Sequence, residues 1–171
     1  VKDKTDKPVP VNYFLEPGYI FIASEPTIIS GVIGSGVSVC LFDRKKMFGG
    51  MNLYQFPYVR ERQKATARYG NASTPTLIRM MLNNGSDIRH LEAQILGGAY
   101  NRKISHDNIG QENIMAARKF LHRNRIAVTS EDVGGEKGRK VIFNTSNNEV
   151  AVMKVDRIRA CDWYPYENHR G

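Results

Sequence analysis

The sequence predicts an α+β layered domain. Three observations point there: short strand-type runs dominate both ends of the chain, only two segments carry a helical apolar stripe, and both lie late among the strands. A doubly wound α/β fold would alternate strand and helix throughout, and this chain does not.

The elements read in order as follows. Tyr13–Glu16 and Gly18–Ala23 are short β-type runs punctuated by Pro17 and Pro26. Thr27–Ile33 is rich in β-branched residues and leads into Gly34-Ser35-Gly36, where steric limits on φ are slight. Val37, Val39 and Leu41 alternate with Ser38, Cys40 and Phe42, which predicts a strand buried on both faces. Asp43–Lys46 reads as a hairpin connection, and Met47–Phe56 as the returning strand closed by Pro57. Tyr58–Tyr69 is charged and aperiodic, an exposed loop. Ser73 or Thr74 is expected to cap a helix with Pro75 in its first turn, its stripe formed by Leu77, Ile78, Met81 and Leu82 and its end by Asn84-Gly85. Leu91–Leu96 is a strand. Asp107 or Asn108 caps a second helix carrying Ile114, Ala117, Phe120 and Leu121. Ile126–Thr129, Lys140–Phe143 and Val150–Val155 complete the strands.

The chain has 171 residues, enough for one domain with a substantial core; 41% are hydrophobic and 25% charged, as in ordinary globular proteins. We read residues 1–12 as a polar arm, 13–155 as the domain and 156–171 as a tail. No apolar run approaches the roughly 18 residues of a bilayer span, so membrane insertion is not expected. Val1–Val11 has no apolar signal-peptide stretch. Cys40 and Cys161, the only cysteines, are far apart and in no metal-ligand spacing, which suits a reducing cytoplasm. The net charge of +8 raises nucleic acid as a partner. However, the basic residues are scattered, and none of their short groups is interleaved with the aromatic and glycine pattern of a single-strand reader. A solvated surface or an acidic protein partner fits better.

Several blocks occur together in one order: Tyr13-Phe14-Leu15-Glu16-Pro17-Gly18-Tyr19-Ile20, Ile33-Gly34-Ser35, Val37–Asp43, Gly49-Gly50-Met51-Asn52 and Ala67-Arg68-Tyr69-Gly70. Leu91-Glu92-Ala93, Gly97-Gly98-Ala99, Ile109-Gly110-Gln111-Glu112-Asn113 and Glu131-Asp132-Val133-Gly134-Gly135 follow. In these blocks the chain resembles the CheD family of chemoreceptor glutamine deamidases, from about Tyr13 to Val155. The resemblance implies a cytoplasmic layered α/β sandwich of mixed β-sheets with two main helices, similar to the catalytic domain of the cytotoxic necrotizing factor toxins. It implies action on receptor glutamines and, in some members, binding to CheC-type phosphatases. It implies no metal and no organic cofactor.

Deamidation needs a nucleophile, because water attacks a carboxamide very slowly. A cysteine serves when a histidine takes its proton, a hydroxyl orients the histidine, and backbone N–H groups hold the oxyanion. In the family the cysteine follows Gly-Ser; here Gly34-Ser35 is followed by Gly36. The family histidine follows Gly-Gly-Met-Asn; here Leu53 stands there. The supporting hydroxyl, usually threonine, aligns with Ser30. No catalytic pair is therefore intact. If the backbone of both motifs survives, Gly36→Cys with Leu53→His rebuilds the pair, and neither change alone does.

No other residue takes over. Cys40 shares the face of Gly36 but lies four residues along the strand, about 13 Å away. Ser35 is adjacent but points to the opposite face and has no base. His90, His106, His122 and His169 fall outside both motifs. Gly34-Ser35-Gly36 is followed by a strand and no Lys-Ser/Thr pair, which is wrong for a phosphate loop. Two fates remain open for the vacated pocket: collapse into core, or retention as a receptor- or peptide-binding groove. The aromatic tail around Trp163 either packs on its own domain or meets a partner. The predicted function is a non-catalytic binder of chemoreceptor cytoplasmic helices, of a CheC-like phosphatase, or of both. The alternative is an active chemoreceptor glutamine deamidase.

Overall fold

The computed structural model describes residues 7–165; His169, Tyr166 and the first six residues of the expected arm lie outside the described residues. Among the described residues, nine strands form two sheets. The first has the order β1 (Val11–Phe14), β3 (Thr27–Ile33), β8 (Gly138–Asn144), β9 (Val150–Val155), with β1 parallel to β3 and the other pairs antiparallel. The second has the order β2 (Tyr19–Ile22), β5 (Phe48–Leu53), β4 (Val37–Asp43), β6 (Leu91–Gly97), β7 (Ala127–Val133), antiparallel except for β6 with β7. Helices α1 (Gly70–Asn83) and α2 (Ile109–Arg123) cover the second sheet on one side, and the first sheet covers it on the other. A short α3 (Ala160–Trp163) lies against β3. This is the α+β layered sandwich of mixed sheets with two main helices.

The middle layer explains β4, all seven of whose residues are buried. Val37, Val39 and Leu41 face the helices and meet Leu77, Ile78, Met81 and Ile114. Cys40 faces the other sheet, among Leu15, Ile29, Met51, Leu53 and Phe143. A strand with two apolar neighbours loses the in/out alternation of a half-exposed one. No helix among the described residues is long and apolar enough to cross a membrane.

The strand expected over Met47–Phe56 ends at Leu53, and β8 is longer than expected at both ends; three other boundary differences have a clear physical reason. Pairing begins at Val11, opposite Thr27, two residues inside the expected arm. Helix α1 starts at Gly70, so Ser73 and Thr74 are buried inside it and do not cap it. Its first amides are satisfied by backbone carbonyls, with Gly70 N donating to Phe56 O at 2.7 Å and Asn71 N to Pro57 O at 3.0 Å. At α2 the expected cap does form: Asn108 Oδ1 accepts from Gln111 N at 2.9 Å. Strand β7 runs four residues past Thr129 through Ser130-Glu131-Asp132-Val133, because it is a sheet edge whose polar side chains make ion pairs.

Candidate functional site

The strand register brings Gly36 and Leu53 together. Cys40 pairs with Met51, and the bridge between Val37 and Tyr54 continues the same antiparallel register. Gly36 and Leu53 are therefore diagonal neighbours on one face, roughly 7–8 Å apart by Cα. That face looks into the space between the sheets.

The space holds no open cleft at these two positions. Leu53 is 1% exposed and belongs to the inter-sheet core with Leu15, Ile29, Cys40 and Met51. Its Cδ1 lies 3.6 Å from the point where a Cβ on Gly31 would stand. Here the structure corrects the placement of Ser30. Ile29 and Ile33 face the inter-sheet core, so Gly31 faces Leu53 while Ser30 alternates to the outer face of the first sheet, opposite Ile142. The position facing Leu53 thus has no side chain, and the supporting hydroxyl is not brought to the pair.

The backbone at Gly36 has closed as well. A Cβ built there would lie 2.6 Å from the carbonyl oxygen of Tyr54 and 3.7 Å from Cα of Gln55. On its other side, Gly36 O accepts from Gly98 N at 2.7 Å, and Gly97, at φ +108°, admits no Cβ because one would overlap that same carbonyl. The rebuilt pair expected from Gly36→Cys with Leu53→His is thus opposed by a backbone in which residue 36 has no room for a side chain.

Asn113, which the sequence shows only as one residue of a motif block, holds this region together. Its Nδ2 donates to Ser35 O and to Gln55 O, both at 2.9 Å, so one buried amide ties the two motif strands to α2. Tyr54 Oη donates to the Asn113 carbonyl at 2.5 Å. Asn52 does similar work in the ladder: its Oδ1 accepts from Val39 N at 2.8 Å and its Nδ2 donates to Thr74 Oγ1 at 3.3 Å. An Asn set next to Ile114 on the apolar stripe of α2 was the readable signal, since a polar residue on a buried face needs partners.

Among the described residues, the imidazoles stay away. His90 precedes Leu91, which pairs with Asp43 at the far end of β4, whereas Val37 pairs with Gly97. His122 is in the last turn of α2, nine residues beyond Asn113, and His106 is on the exposed loop before α2. Ser35 is exposed, with its carbonyl held by Asn113. Cys40 is fully buried, and burial pushes its thiol well above the ordinary range. Iodoacetamide at neutral pH is expected to modify only the exposed Cys161 in the native chain, and both cysteines once the chain is unfolded in urea. Native labelling of two thiols by mass spectrometry would contradict the packing of Cys40. Among the described residues, no group of three or more His, Cys, Asp or Glu side chains is placed to hold a metal ion.

Comparison with known families supplies the identity. Residues 57–154 match the family model described as CheD chemotactic sensory transduction. The chain is 37% identical over 144 residues to a probable chemoreceptor glutamine deamidase CheD 1 of Anaeromyxobacter dehalogenans, covering 83% of this chain and 84% of that one. It is 39% identical over 140 residues to the probable chemoreceptor glutamine deamidase CheD of Trichlorobacter lovleyi, covering 81% and 87%. The chain belongs to the CheD family. Its CheD blocks now have physical reasons. Gly70 lets α1 approach the Tyr54 ring, where a Cβ would sit 2.7 Å from Cε2. Gly97-Gly98 receives the Gly36 carbonyl, Asn113 clamps the motif strands, and Asp132 and Gly134 hold the buried Arg139. These CheD features serve the scaffold.

Proposed function

We propose that this chain is a non-catalytic CheD protein of the cytoplasm, which binds chemoreceptor cytoplasmic helices, a CheC-type phosphatase, or both. The observation that carries the reading is the pair Gly36 and Leu53, with the first closed against the Tyr54 carbonyl and the second packed into the inter-sheet core. In catalytic triads, loss of the nucleophile or base leaves about 10³–10⁴-fold over water, which is negligible for so slow a reaction as amide hydrolysis. The relatives' names supply the receptor as the partner to test first. The persistence of the scaffold without the chemistry supports binding as the retained role. The experiment is an ammonia-release assay on receptor cytoplasmic fragments, run beside pull-down of the same fragments. Binding without ammonia is the expected result. Stoichiometric ammonia would restore the deamidase reading, and absence of both would remove the receptor as partner.

A further inference from the structure

Beyond Val155, the chain turns back over the Gly34-Ser35 motif. Trp163 and Ile158 rest against Gly34: a Cβ there would be 3.5 Å from Trp163 Cη2 and Cζ2, and 4.0 Å from Ile158 Cδ1. Ile158 also fills the space above Gly138. Two carboxylates fasten the segment. Asp162 accepts from Lys140 Nζ at 3.2 Å and from Arg159 N at 2.9 Å, and Asp156 pairs with Lys137 at 3.1 Å. A cavity of about 500 Å³ runs under this segment, bounded by Gly34, Ser35, Tyr100, Ile104, Ile158 and Trp163.

The attachment is weak in kind. Helix α3 has four residues and buries none of them; the Lys137–Asp156 pair is mostly exposed, at 56% and 87%, and only the Lys140–Asp162 pair is more sheltered, at 43% and 10%. Exposed ion pairs contribute little and are screened by salt, and segments held by such contacts open at little cost. The family match ends at residue 154, before this segment begins. That match, residues 57–154, includes Tyr100, Ile104 and Gly138 of the groove wall and none of the strap.

We infer that residues 156–164 are a displaceable strap, an internal ligand of a groove beside Gly34-Ser35, whose external ligand is an amphipathic protein segment that presents carboxylates to Lys137 and Lys140. The strap itself defines that chemistry. Whatever replaces it must present bulky apolar side chains where Ile158 and Trp163 now sit, and carboxylates where Asp156 and Asp162 now meet Lys137 and Lys140. Carboxylates on that segment also complement the chain's net charge of +8. That the segment belongs to a chemoreceptor rests on the binding reading above; the strap and its groove do not.

Trp163 is the only tryptophan, so its fluorescence reports the strap directly. In the full chain, Asp162→Lys is expected to raise acrylamide quenching of Trp163 at least about twofold, and the charge swap Lys140→Asp with Asp162→Lys to lower it again. Global stability to urea should stay unchanged in Asp162→Lys. Two labelled probes are then titrated: a synthetic peptide of residues 156–164, and a receptor cytoplasmic helix fragment. Both are expected to bind Asp162→Lys about tenfold more tightly than the parent, because a site occupied internally most of the time lowers apparent affinity by that fraction. Trp163 as accessible in the parent as in the free peptide would overturn the inference, and so would equal affinity of the strap peptide for both chains. If the strap peptide shows the gain but receptor fragments bind neither chain, the strap stands and the receptor reading falls.

Discussion

Leu53→His is expected to destabilise the protein by about 3–5 kcal/mol, since it removes a core leucine and buries an imidazole without a partner. Gly36→Cys should cost a further 1–3 kcal/mol or so, because the new Cβ meets the Tyr54 carbonyl at 2.6 Å and must push backbone, not a flexible side-chain end. For a domain of ordinary stability, about 5–15 kcal/mol in total, the double variant stands near the unfolding threshold. Urea denaturation of the two single variants and the double one checks the magnitudes, and ammonia release on receptor fragments checks the chemistry. The expected result is a marginal fold and no ammonia. A stable double variant that deamidates would show that the strand pair at Gly36 opens easily, and that the thiol and imidazole were all the site lacked. The backbone at Gly36 opposes the rescue expected from the motifs, because a matching motif specifies which residues are neighbours, not how closely the strands have approached.

What could be read from sequence follows from what leaves a local trace. Strand β4 was legible because a both-faces-apolar run has one common explanation. The adjacency of Gly36 and Leu53 was legible because the motifs kept their spacing on two paired strands. The face of Ser30 was not, because Gly31 and Gly34 leave no apolar alternation to fix which residues point inward. The start of α1 was hidden too: carbonyls of Phe56 and Pro57 satisfy its first amides, so the usual capping side chain is unnecessary. The reach of β7 through Ser130-Glu131-Asp132 was invisible to β-propensity, since edge position and long-range ion pairs stabilise it. The strap beyond Val155 carried only its aromatic composition as a signal.

The glycine block after β7 conceals a buried polar tie between the sheets. Arg139, on β8, has a side chain only 2% exposed at the end of the inter-sheet core, and it reaches across to the other sheet. Its Nε donates to Asp132 Oδ1 at 2.9 Å and its Nη2 to Gly134 O at 2.8 Å. The partners are unequal: Asp132 is 32% exposed and also lies 3.7 Å from Lys154. Removing Asp132 strands a guanidinium in the interior with carbonyls for company, whereas removing Arg139 leaves a carboxylate that water and Lys154 can serve. Asp132→Ala is therefore expected to cost about 3–5 kcal/mol, the range for a buried charge losing its counter-ion. Arg139→Met keeps the packing volume and should cost less, about 1–2 kcal/mol for the unpaired Gly134 carbonyl. In the double variant the cost falls below the sum, because the charge stranded by the first change is gone. Urea midpoints of the three variants decide it: a larger loss for Arg139→Met than for Asp132→Ala would mean that Arg139 acts through its stem and not through its charge.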